Sequence, residues 1–173
     1  IYVDKTGLLA YTNSVINTKQ ALICSSRPRR FGKSITADML CAYYSRGCDS
    51  DSIFASYEIA KSDSYKKYLN QYDVIYLDIQ WCMMDAGSAE QTVSYLNYHV
   101  IEELKEIYPQ ILLDGIRTAY GAMSCINAQT GVKFIVIIDE WDVLIRDEAA
   151  NEAVLQDYIN SVSYTHLTLP TIR

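Results

Sequence analysis

Gly32-Lys33-Ser34 follows a short apolar run at residues 21–24 and opens a helical pattern. Strand, loop, Gly-Lys-Ser and helix, in that order, form the context that a phosphate-binding loop needs. The backbone N–H groups of such a loop, with the positive end of the following helix, attract phosphate oxygens. In this reading Lys33 reaches the β- and γ-phosphates of a nucleoside triphosphate, and the Ser34 hydroxyl ligates Mg²⁺. The general pattern is G-x-x-x-x-G-K-[ST], and Arg27 stands where its first Gly belongs. The pattern alone therefore leaves open a basic, glycine-broken turn that caps a core helix.

A second group of residues points to the same chemistry. Phe134-Ile135-Val136-Ile137-Ile138 is a continuous apolar run ending in Asp139-Glu140. A run apolar on both faces suits the centre of a parallel sheet. Acids at the carboxyl end of such a strand stand where ligands bind in open α/β sheets. Asp139 is expected to hold Mg²⁺, directly or through water, and Glu140 to orient and deprotonate an attacking water. An apolar strand ending in acids is a weak signal by itself. Paired with Gly-Lys-Ser upstream, it makes a Mg²⁺–nucleoside triphosphate site the leading expectation.

Charge and composition narrow the partners. The chain has 173 residues and a net charge of −6, which argues against a dedicated nucleic-acid surface. Yet Arg27, Arg29, Arg30 and Lys33 fall within seven residues. Local positive charge on an acidic chain suits a small polyanion such as a nucleotide, the plainer alternative being a solvated basic turn. The hydrophobic fraction is 50%, as expected for a globular domain. No apolar run approaches the roughly 18 residues of a membrane span. The five cysteines are scattered and form no Cys-x-x-Cys pair, so neither zinc nor a disulfide framework is expected. Cys24, Cys41 and Cys125 sit in apolar contexts and read as core, and a reducing cytoplasm is the natural compartment.

Four segments in order carry a family resemblance: Tyr2-Val3-Asp4-Lys5-Thr6, Arg27-Pro28-Arg29-Arg30-Phe31-Gly32-Lys33-Ser34, Val74-Ile75-Tyr76-Leu77-Asp78 and Ile138-Asp139-Glu140-Trp141-Asp142. The chain resembles the bacterial predicted AAA-ATPase-like family, whose loop reads Arg-Pro-Arg-Arg-Phe-Gly-Lys-[Ser/Thr]. The resemblance makes Arg27 normal for its position. It implies a three-layer α/β P-loop NTPase with a parallel sheet, of the additional-strand (AAA-like) type, truncated on its C-terminal side. It implies ATP and Mg²⁺ as cofactors. Pro28, Arg29, Arg30, Phe31, Gly32, Lys33, Ser34 and Ile35 would bind nucleotide, Ser34 and Asp139 the metal, and Lys33 and Glu140 would serve catalysis. Self-association and a downstream restriction-endonuclease-like nuclease domain are compatible with it.

The elements that position these residues follow from periodicity and punctuation. Residues 7–17 read as a helix, and residues 33–44 as the helix after the loop, with Ile35, Met39, Leu40 and Tyr43 on its buried face. Residues 49–70 read as loop and short helices with partly buried tyrosines. Residues 73–79 form a strand whose Asp78 caps a turn, a place near the magnesium being the alternative. Residues 80–87 read as a loop. Residues 88–108 form a long helix with a Ser88/Gln91 capping box and an inward stripe of Val93, Leu96, Val100, Leu104 and Ile107. His99 on that helix is expected to be structural, as are Tyr2 and Asp4. Residues 111–130 read as another helix closed by Gly131, and residues 151–161 as the start of a further one. Alternating strands and helices call for a parallel sheet with right-handed crossovers.

The two ends read as non-native. The chain starts at Ile1, inside a motif. Residues 162–173 back-translate to a string resembling the transposase adapter of sequencing libraries, so the P-loop domain is taken as residues 1–161, incomplete, and His166 is set aside. A sensor strand and any arginine finger are expected beyond Ser161, so hydrolysis by this stretch is expected to be slow or absent. Two other functions fit the residues: an ATP-gated switch and interaction module with little hydrolysis, and a phosphotransferase. The presence of Glu140 argues against the switch, and the lack of an Arg-rich lid segment against the transferase.

Overall fold

The computed structural model describes residues 3–25, 32–146 and 152–167. They fall into two compact units, one ending at Val74 and the other beginning at Ile75.

The first unit carries α1 (Gly7–Val15), α2 (Lys33–Tyr44), the short helix α3 (Asp51–Phe54), a 3₁₀ turn at Glu58–Lys61 and the short helix α4 (Tyr65–Tyr68). Its interior is built from tyrosines that keep their hydroxyls satisfied. Tyr43 and Tyr44, at 0% and 2% exposure, end α2 against α1. Asn13 Nδ2 donates to the Tyr43 hydroxyl at 2.9 Å, and the Tyr44 hydroxyl donates to Asn13 Oδ1 at 2.8 Å. Tyr43 in turn donates to the Tyr65 carbonyl at 3.0 Å. Leaving a buried hydroxyl without a partner costs more than a paired one contributes, so this network favours one docking of α2 on α1. After α2 the chain returns, and Ser45 bridges Tyr72 in parallel.

This arrangement corrects three expectations. Residues 21–25 form no strand and are exposed, Leu22 and Ile23 included. The run is four residues long, and the Ala21 N–H is already used by a turn to the Thr18 carbonyl. Cys24 is exposed rather than core, and Cys41 is half-buried, its thiol pushed up to about 11 by burial and then by Asp38. On α2 the buried face is Ala37, Tyr43 and Tyr44, whereas Ile35 is exposed. The tyrosines' hydrogen bonds to α1, not apolar character alone, choose the face.

The second unit holds a small parallel sheet in which, among the described residues, β1 (Asp73–Asp78) pairs with β2 (Phe134–Asp139). The unit boundary falls inside β1. Helices α5 (Ile79–Ala86), α6 (Ala89–Ile107) and α7 (Ala119–Thr130) connect the strands, and α8 (Val143–Arg146) and α9 (Glu152–Leu167) follow β2. Helix α6 packs on α5, α7 and α9. The core gathers Ile79, Leu96, Leu104, Met123, Ile126, Phe134, Leu144 and Tyr158.

Again the differences have physical causes. The expected loop at residues 80–87 is α5, capped by the Asp78 carboxylate, which accepts from Trp81 N–H at 3.1 Å, and closed by Gly87 in the left-handed region at φ 82°. Asp78 is thus the cap that the sequence indicated. Residues 111–118 are not helical. Gly115 takes φ 81° there, and the Thr118 hydroxyl accepts from Gly121 N–H at 3.1 Å to start α7 afresh. Ser88 precedes α6 but makes no side-chain cap bond, so the capping box is not formed. The α6 stripe runs through Val93, Leu96, Val100 and Leu104 and ends on Tyr108, leaving Ile107 exposed. Cys125 is half-buried. Strand β2 has one strand neighbour among the described residues, and its residues 135–138 are half-buried rather than central.

Candidate functional site

In the first unit the site residues stand where α2 begins. Gly32 precedes the helix with φ 74° and ψ 36°, a left-handed conformation that a side chain resists. Its carbonyl accepts from Thr36 N–H at 3.0 Å and from the Thr36 hydroxyl at 2.9 Å. The helix has no side-chain cap bond and no acid in its first turn. The N–H groups of a first turn have no intrahelical partner and carry the positive end of the helix dipole. Lys33 there is half-exposed, and Ser34 and Ile35 are exposed. Pro28, Arg29, Arg30 and Phe31, with Arg27, lie outside the described residues.

In the second unit the acids stand where β2 ends. Asp139 closes the strand and is 6% exposed. Its Oδ1 accepts from Glu140 N–H at 2.9 Å, and the hydroxyl of Tyr76, on neighbouring β1, donates to Oδ2 at 3.4 Å. A buried carboxylate has about four acceptor positions, so these bonds leave capacity for a further ligand. Glu140 then takes φ 50°, one of three non-glycine residues with positive φ among those described. Such a conformation costs of order 1 kcal/mol and persists where its surroundings enforce it. Here the Glu140 carbonyl accepts from Val143 N–H at 3.0 Å, and Arg146 Nη2 donates to Glu140 Oε2 at 3.2 Å. Arg146 is also tied to Asp142, through Nε to Oδ2 at 3.0 Å and Nη2 to Oδ1 at 3.2 Å. The buried Tyr158 hydroxyl of α9 donates to the Trp141 carbonyl at 2.6 Å, pinning the same turn. Burial, and then the charge of Asp142, push the Tyr158 hydroxyl's pKa up, so it remains a donor.

Asp139 and Glu140 are therefore brought together with Tyr76 and Arg146, and Gly32, Lys33 and Ser34 stand together in the other unit. The roles of Tyr76, Arg146 and Tyr158 were not found from the sequence. Arg146 had a usable signal, since Asp142 and Arg146 have the i, i+4 spacing of a helical ion pair. Tyr76 and Tyr158 had none, because their partners depend on strand pairing and on the docking of α9. His99 lies exposed on α6 against the Tyr95 and Tyr98 rings, and no cluster of three or more metal-ligating side chains occurs among the described residues.

A family model described as Predicted AAA-ATPase matches residues 1–168. The chain belongs to that family. No curated protein and no solved structure matches it. Membership in the predicted AAA-ATPases suggests a nucleotide-binding protein for which ATP is the expected ligand, with hydrolysis as the activity that the family's description carries. The α/β architecture, with its small parallel sheet, is compatible with a P-loop-like fold. No described helix of this family member is long and apolar enough to cross a membrane.

Proposed function

We propose that this predicted AAA-ATPase binds Mg²⁺–ATP and hydrolyses it, as a P-loop domain of the three-layer, additional-strand type. The observation that carries the reading is the end of β2: a buried aspartate with acceptor capacity to spare, followed at once by a glutamate held in a left-handed turn. Supporting it, Gly32 takes the positive φ that lets the backbone turn into α2, and the helix start carries no acid to compete with a phosphate.

The roles follow from the side-chain chemistry. Gly32, Lys33, Ser34 and Ile35, with Pro28, Arg29, Arg30 and Phe31, bind the nucleotide. Lys33 neutralises charge on the γ-phosphoryl group. Mg²⁺ suits the donor set, since it needs only one or two protein oxygens beside phosphate and water, and Ser34 and Asp139 would supply them. Bound there, it would offset phosphate charge. Glu140 accepts a proton from water as the water oxygen bonds to the γ-phosphorus, the bond to the β,γ-bridging oxygen breaks and ADP leaves.

The test measures Mg²⁺-dependent ATP binding and turnover for the wild type, Lys33→Ala and Glu140→Gln. The reading expects binding to be lost in the first variant, and retained with only residual turnover in the second. A wild type that ignores nucleotide overturns it. A Glu140→Gln variant that behaves as wild type points instead to an ATP-gated switch. Transfer of the γ-phosphoryl to an acceptor other than water points to a phosphotransferase. We also propose self-association and a downstream nuclease domain, testable by sizing the protein and by extending the gene.

A further inference from the structure

We infer that Arg146 is a positioning residue for Glu140, holding one carboxylate oxygen so that the other faces the attacking water. The inference rests on the reading of Glu140 as the base. Its ground is geometric. Glu140 follows a buried strand end with φ 50°, so its backbone direction is set by the turn. Its side chain has several torsions left, and a base that swings freely loses most of its effect, since misplacement by about 1 Å costs about 10²-fold in rate. Arg146 removes that freedom by donating to Oε2 at 3.2 Å.

The guanidinium is itself fixed. Two contacts to Asp142, at 3.0 and 3.2 Å, hold it in the i, i+4 geometry of a helical pair. Its backbone N–H donates to the Asp142 carbonyl at 3.0 Å. Glu140, Asp142 and Arg146 thus form a chain of constraint in which Asp142 orients Arg146 and Arg146 orients Glu140. The planar fork of arginine can serve both carboxylates at once, which a lysine ammonium does with less directional control. The ion pair is partly exposed, with Arg146 at 41% and Glu140 at 24% side-chain exposure, so it contributes little to stability. Its value lies in direction.

The experiment, made on the protein of the gene extended past Ser161, compares steady-state ATP turnover of the wild type, Lys33→Ala, Arg146→Ala, Arg146→Lys, Glu140→Gln and the double variant Glu140→Gln/Arg146→Ala, with thermal unfolding of each. Arg146→Ala is expected to lower kcat by about 10²-fold while KM for ATP stays within about twofold. Arg146→Lys should regain part of the loss. The double variant should turn over no more slowly than Glu140→Gln alone, because Arg146 acts through Glu140. An unchanged or raised kcat in Arg146→Ala overturns the inference, and so does a further loss in the double variant. If the wild type shows turnover that Lys33→Ala abolishes, such a result removes the inference alone. If the wild type shows none, the functional reading fails and the inference with it. Should Arg146→Ala not fold, Arg146→Lys carries the test, with an undiminished kcat overturning the inference.

Discussion

Lys5 brings its ammonium nitrogen to 3.0 Å from the point where a Cβ on Gly32 would stand. Two segments far apart in sequence thus meet at the residue that opens α2, and the meeting depends on Gly32 having no side chain. The neighbouring atom is the tip of a flexible chain, so Lys5 can yield. The backbone cannot, because φ is 74°. Gly32→Ala should therefore destabilise the protein by about 1–2 kcal/mol, the cost of a left-handed alanine. Gly32→Asn should cost less, since asparagine tolerates that region. Adding Lys5→Ala to Gly32→Ala should recover little. Urea unfolding of the four proteins checks this, and a full recovery on removing Lys5 would show that sterics rather than φ set the cost.

Asp4 shows how the segment leading to Lys5 is held. Its Oδ2 accepts from Glu58 N–H at 3.0 Å and its Oδ1 from Thr6 N–H at 2.8 Å. These bonds, that of Glu58 first, lower its pKa below the ordinary aspartate value of 3.8. A carboxyl depressed in the folded state stabilises the fold above its unfolded value, and the stabilisation drains as pH falls through the folded value. Asp4→Asn should therefore unfold at a lower denaturant concentration than wild type at neutral pH, and the gap should close below pH 3.8. A gap that stays constant across that range would mean that the charge of Asp4 is not what holds the segment. Asp4 is in this respect the structural residue that its sequence context indicated.

Much of the fold was legible in the chain, for reasons that particular residues make plain. Strand β2 and the strand part of residues 73–79 announced themselves as β-branched runs, and α2 occupies residues 33–44, between Gly32 and the Arg46-Gly47 pair that ends the helical pattern. The failures were of two kinds. Helix α5 was missed although Ile79, Cys82, Met83 and Ala86 have helical spacing and its Asp78 cap and Gly87 stop were both present, because the exposed Trp81 and Met84 blur that stripe. The reverse error, an overlong helix at residues 111–130, ignored Gly115 and the Thr118 cap that break it. The acids Asp139 and Glu140 could be singled out from spacing, but the hydrogen bonds of Asp139 to Tyr76 and of Glu140 to Arg146 could not. Those partners follow from strand pairing and from a turn's handedness, neither of which a one-dimensional pattern contains. On α2 the inward place of Tyr43 was legible, whereas Ile35 is exposed and the apolar spacing left out Tyr44, which is buried and bonds Asn13.

Tyr158 offers the last test, since it joins α9 to the turn after β2 through one hydrogen bond. Its hydroxyl donates to the Trp141 carbonyl at 2.6 Å while the ring is 3% exposed. Tyr158→Phe keeps the ring's packing and removes only the donor, leaving the carbonyl to find water or stay unpaired. The expected loss is about 1 kcal/mol, rising toward the higher figure for an unsatisfied buried group if water does not reach it. Because the carbonyl lies next to Glu140 in the chain, loosening it should also let that residue's left-handed conformation relax. Amide hydrogen exchange around residues 140–146 should then quicken more than exchange in α6, which does not contain the bond. Equal quickening in both would mean that the hydroxyl stabilises the unit as a whole, and that the turn owes its shape to the Val143 N–H and Arg146 contacts alone.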